Sequence, residues 1–200
     1  EALAARKPND PAPLLALADL SIAGSDWKSA QDYINRARSA APNDPKPSIK
    51  LVDLYLQEKD YQDAKSVATG LVAPFPSDPG VLDAEGRVQL ATGDEAGAVA
   101  TYRRAAEVAP KSVAIRDRYL AVLLATKNYP AAQDVLGKAL TADPNNIKIK
   151  ADLIRIAAQI GGVDAGIDKA HEFAAEDPKK PAYDIVIAGQ AVGQVQGPGG

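Results

Sequence analysis

PGVLDAEGRVQLATGDEAGAVATYRRAAEVAPKS, residues 79–112, reads as one complete structural unit. It opens on Asp78-Pro79, an acidic cap followed by a proline at the first helical position, where a missing N–H costs no hydrogen bond. A first apolar-periodic stretch runs to Gly93-Asp94. That pair predicts a turn, and its aspartate predicts the cap of a second helix that ends before Pro110. The same plan extends in both directions. Pro8, Pro42, Pro76, Pro110, Pro144 and Pro178 stand 34 residues apart, each at a place where a helix is expected to have just ended. A fixed interval in the range of roughly 20–50 residues marks a repeat array built from one supersecondary unit.

Set in this register, the units are 11–44, 45–78, 79–112, 113–146 and 147–180. Their openings are Asp10-Pro11, Asp44-Pro45, Asp78-Pro79, Ser112-Val113 and Asn146-Ile147, each with a side chain able to accept from orphan amides. Mid-unit turns are expected at Ser25-Asp26, Lys59-Asp60, Gly93-Asp94, Lys127-Asn128 and Gly161-Gly162, the last without a cap unless Asp164 supplies it. Residues 1–9 match the closing helix of an earlier unit, as if cut from a longer array, 181–192 a capping helix or the first helix of a sixth unit, and 193–200 a disordered tail. The expected fold class is all-α.

Composition narrows the function classes. Alanine is plentiful and aromatics amount to 5%, which favours closely packed helices. A net charge of −3 without a basic stripe argues against nucleic acid as a partner. No run of about eighteen apolar residues predicts a membrane span. Cysteine is absent, so thiol chemistry and disulfides are excluded. The single histidine, His171, has no second histidine or cysteine to complete a transition-metal site. Gly161-Gly162 is not followed by the Lys-Ser/Thr of a phosphate loop, and no serine stands in a nucleophile elbow. No cofactor, metal or catalytic residue is expected, and the chain does not read as an enzyme. Trp27, Tyr61 and Tyr129 share one position just after the mid-unit turn. Plugging the junction between two helices accounts for them better than a ligand-stacking row, which Glu95 and Val163 would break.

The units resemble the tetratricopeptide repeat (TPR). Small residues stand at the eighth, twentieth and twenty-seventh positions, a large one at the twenty-fourth and proline at the thirty-second, as in Ala18, Ala30, Ala37, Ile34 and Pro42 or Gly86, Ala98, Ala105, Tyr102 and Pro110. Leu120 departs from this pattern at an eighth position. Ala68 with Leu71 and Ala170 with Phe173 exchange the large and small partners, a swap that conserves volume and would alter the local helix–helix angle. The resemblance implies a right-handed α-α superhelix, a solenoid whose first helices line a concave groove for a protein or peptide.

Read onto this chain, the family's groove positions hold the charged residues Asp19, Lys46, Lys50, Asp53, Asp83 and Arg87, followed by Asp117, Arg118, Lys148, Asp152 and Arg155. Ile22, Leu56, Leu90 and Leu124 supply an apolar floor, flanked by Ala23, Ala91 and Ala125. Two readings stay open at this point. Opposite charges such as Asp83 with Arg87 and Lys148 with Asp152 pair along a solvated face, or the groove takes a partner. The lysine and asparagine set with which chaperone-docking members hold a C-terminal carboxylate is absent. The Ala/Leu-rich style of 84–110 is similar to bacterial envelope TPR lipoproteins of the exopolysaccharide and PEP-CTERM type, which implies a periplasmic or envelope setting. The functions this leaves are a groove-binding scaffold, a spacer or oligomerisation segment acting through the array ends, and a regulatory arm of an enzyme elsewhere.

Overall fold

The computed structural model of the chain describes residues 10–176. Among them every regular element is a helix: α1 Ala12–Ala23, α2 Trp27–Ala40, α3 Lys46–Glu58, α4 Tyr61–Val72, α5 Pro79–Ala91, α6 Glu95–Val108, α7 Val113–Ala125, α8 Tyr129–Ala142 and α9 Ile147–Glu176. The expected closing helix at 1–9, the cap at 181–192 and the tail at 193–200 lie outside the described residues. The chain divides into two compact units, one ending at Val122 and one beginning at Leu123.

Helix starts obey the capping logic. The amides of Ala12, Lys46 and Val81 donate to the carboxylates of Asp10, Asp44 and Asp78, each at 3.0 Å. The amides of Ile115 and Ile149 likewise donate to Ser112 Oγ and Asn146 Oδ1, at 3.4 and 3.1 Å. Second helices begin on Asp26, Asp60, Asp94 and Asn128, whose side chains accept from the amide three residues on.

Helix ends inside the repeats are equally regular. Ser25, Lys59, Gly93 and Lys127 all take positive φ, between 56° and 80°. The next amide in each case, from Asp26, Asp60, Asp94 or Asn128, reaches back to the carbonyl of Ser21, Tyr55, Gln89 or Leu123 over 2.7–2.9 Å. This is the Schellman arrangement, in which a left-handed residue satisfies the orphan carbonyls of a helix end. A side chain in that conformation is strained by about 1–2 kcal/mol, partly offset by the greater unfolded entropy of glycine. Lys59→Gly and Lys127→Gly are therefore each expected to stabilise by about 0.5–1 kcal/mol, measured by thermal or urea melts. Gly93→Ala should cost a similar amount.

The fifth repeat turns differently. Its positive φ falls on Gly162, at 81° with ψ of −179°, one residue later than the register of the other four. That combination is open to glycine almost alone. The two halves of α9 meet at this glycine.

Packing in the first unit follows position within the repeat. Ala18, Ala30 and Ile34 of the first repeat enclose Leu51 and Leu54 of the second. Val52, Ala64 and Ala68 of the second enclose Ala84 and Val88 of the third. Each core is thus shared between a hairpin and the first helix of its successor. Trp27 packs against the first of these cores, which fits the plug expected of it. In the second unit the buried set includes Ala132, Leu136, Ile149, Leu153, Ile154, Ala170 and Phe173. The exchanged pairs Ala68/Leu71 and Ala170/Phe173 are all buried, as are Ile34/Ala37 and Tyr102/Ala105 in the usual order.

Candidate functional site

The first helices of the first unit carry the groove positions, and their charges find one another across helices. Lys50 on α3 pairs with Asp19 on α1. Arg87 on α5 pairs with Asp53 on α3, one full repeat away, and with Asp83 on its own helix at 3.1 Å. Arg118 on α7 donates to the other oxygen of Asp83, also at 3.1 Å. A ladder Asp53–Arg87–Asp83–Arg118 therefore ties three successive repeats. Its middle is well shielded, with Asp83 and Arg87 side chains only 16% and 22% exposed.

The ladder has a fifth member that sequence reading placed only as a core side chain. The hydroxyl of Tyr102, on α6, donates to Asp83 Oδ1 over 3.3 Å. Burial, reinforced by the charge of Asp83 and opposed by Arg118, pushes the phenol up to about 12. The hydroxyl therefore stays neutral and donating through the neutral range. Burial works against the Arg87 charge, but Asp53 and then Asp83 outweigh it and hold the guanidinium above its ordinary value. The signal in the sequence was a tyrosine at the twenty-fourth position opposite a glycine at the eighth. Gly86 leaves the room that the ring fills.

The remaining expected residues are placed as follows. Asp117 pairs with the neighbouring Arg116 at 2.9 Å. Lys46 is exposed at the start of α3. In the second unit Asp152 pairs with Arg155, and Lys148 lies on the same helix. The apolar floor is uneven. Ile22 and Leu56 are half-buried and belong to the flanks of the two shared cores. Leu90 in the first unit and Leu124 in the second are each 39% exposed.

Glu85, on the same helix as Asp83 and Arg87, is held above the ordinary carboxyl value of 4.5 by burial, with Arg104 opposing. A raised acid pKa means that the folded state prefers the protonated form. Its stabilising contribution is complete below the unfolded pKa and is lost as pH rises through the folded one, so ionised Glu85 weighs against the fold at neutral pH. Glu85→Gln is expected to raise the melting temperature at about pH 7 and to lose that advantage near about pH 4. Parallel melts at the two pH values check it.

Elsewhere, a cavity of about 500 Å³ between α8 and α9 is lined by Leu140, Leu153 and Phe173 with Lys169 and Glu172. The ammonium groups of Lys150 and Lys169 lie 4.9 and 5.7 Å from the Phe173 ring centre. His171 is exposed. Among the described residues no helix is long and apolar enough to cross a membrane, and no group of three or more His, Asp or Glu is placed to hold a metal.

No family model and no curated protein matches the sequence. Solved structures do match in fold. A thermophilic TPR protein of Thermus thermophilus shares 18% identity, with 91% of this chain and 99% of that one covered at a TM-score of 0.57. A tetratricopeptide repeat protein of Parabacteroides merdae shares 14%, covering 93% and 74% at 0.67. YrrB, a TPR protein with an unusual peptide-binding site, shares 13%, covering 90% and 93% at 0.60.

Proposed function

We propose that this chain, whose fold is that of the tetratricopeptide-repeat proteins, is a non-catalytic interaction scaffold that binds a protein segment along its first helices. The observation that carries the reading is the wall in the first unit. Leu90 stands 39% exposed beside a ladder of charges that span neighbouring repeats. A side-by-side set of helices with an apolar strip suits an extended peptide or a partner helix laid across them. No nucleophile is poised against a base on that wall, so binding is the chemistry it supports. The peptide-binding site named for YrrB is in keeping with this use of the fold.

The test is capture of partners by the wild-type chain beside Leu90→Glu, with Val108→Glu on the second helix α6 as the control. Val108 is exposed to almost the same degree, at 38%. A partner held by wild type and the control but lost by Leu90→Glu supports the reading. Equal retention by all three removes the wall from consideration.

One observation favours a second reading, contact between copies through α1. α1, APLLALADLSIA, has a single charged residue and is apolar around its circumference, as a helix covered on both sides would be. Leu20 is nevertheless 71% exposed, whereas Leu54 and Val88, at the same position in the next two repeats, lie in the preceding repeat's core. Self-association lost in Leu20→Lys, measured by sedimentation over a concentration series, would favour this reading. A monomer at every concentration would count against association between copies.

A further inference from the structure

Resting on the groove-binding reading above, we propose that the segment bound on the first unit's wall is uncharged where it crosses α3 and α5, held by apolar burial on Leu90 and Leu56. The charges on this wall are already occupied. Asp83 already accepts from Arg87, Arg118 and Tyr102, and Arg87 is divided between Asp53 and Asp83. An incoming carboxylate would have to draw Arg87 away from two partners. An incoming ammonium would have to draw Asp83 away from three donors.

Either exchange leaves a charge unpaired at a place already largely removed from water, which is more costly than the new pair is favourable. An apolar side chain meets no such obstacle. It covers Leu90, which is 39% exposed, and leaves the ladder intact. Arg118 at one end of the ladder and Asp19 in its separate pair with Lys50 have side chains 47% and 57% exposed, and leave charge tolerable only at the flanks of the bound segment. Lys46, exposed at the start of α3, lies on the flank as well.

The experiment is a selection of displayed random peptides of about twelve residues on the full chain, followed by binding of the synthetic winners at about 50 and about 500 mM NaCl. The expected winners carry no Asp, Glu, Lys or Arg over their central residues. Their Kd shifts less than about twofold between the two salts and weakens about tenfold or more in Leu90→Glu. Winners with central charges whose Kd rises more than about tenfold with salt, yet which still depend on Leu90, overturn this inference and leave the scaffold reading standing. Winners indifferent to Leu90→Glu, or a selection yielding none that depend on it, overturn both.

Discussion

Gly86→Ala will lower the melting temperature of the chain, whereas Gly70→Ala, the same exchange one helix earlier, will raise it. Both glycines lie inside helices, α5 and α4, where alanine is intrinsically better by about 1 kcal/mol. The surroundings decide the sign. A Cβ on Gly70 meets nothing within 4 Å, so the propensity gain of about 0.5–1 kcal/mol is realised. A Cβ on Gly86 would stand 2.6 Å from Cε2 and 2.8 Å from Cζ of Tyr102, whose ring is 1% exposed and has no free space to retreat into. Overpacking of that kind costs about 1–3 kcal/mol, and moving the ring also breaks the hydroxyl's bond to Asp83. A net loss of about 1–2 kcal/mol is expected, read as a fall of several degrees in thermal melts. The double variant Gly86→Ala with Tyr102→Leu should recover part of the loss. A Gly86→Ala protein as stable as wild type would mean that the eighth and twenty-fourth positions do not constrain each other.

Arg87→Ala is the second large effect expected. The substitution leaves Asp53 and Asp83 facing each other's field without the cation between them, and Asp83 is only 16% exposed. Removing one partner from a fully buried pair costs about 3–5 kcal/mol, and partial exposure scales that to about 2–3 kcal/mol. Lys138→Ala provides the contrast, since its partner Asp134 and Lys138 itself are 62% and 78% exposed. A change within about 0.5 kcal/mol is expected there. A double-mutant cycle on Asp53→Asn and Arg87→Ala should return a coupling of about 1 kcal/mol or more, because the pair links two repeats. A coupling near zero would reduce the ladder to a surface decoration.

Both predictions turn on differences between repeats that share one plan. The repeat register, the caps at Asp10, Asp44 and Asp78, and the mid-unit turns were all readable along the chain, because each depends on residues within a few positions of one another. Even the size code was partly readable, since Ala18 with Ile34 and Gly86 with Tyr102 are complementary in volume. The fifth turn was placed at Gly161-Gly162, and the backbone puts its break on the second of the two.

The sequence by itself determined the all-α repeat plan, since a helix needs only local hydrogen bonds, caps and a periodic apolar face. It also determined the eleven charges at first-helix positions. Asp83 with Arg87 was legible as an i, i+4 pair, and only the tertiary structure decided which charges meet across repeats. Asp53 and Arg87 are 34 residues apart, and their union depends on how one hairpin stacks on the next. The same stacking brought Tyr102 to Asp83 and set Ile22 and Leu56 half-buried at the flanks of the cores while leaving Leu90 exposed. Long-range contacts of this sort follow from packed volume and helix crossing, quantities that no local pattern in the chain encodes.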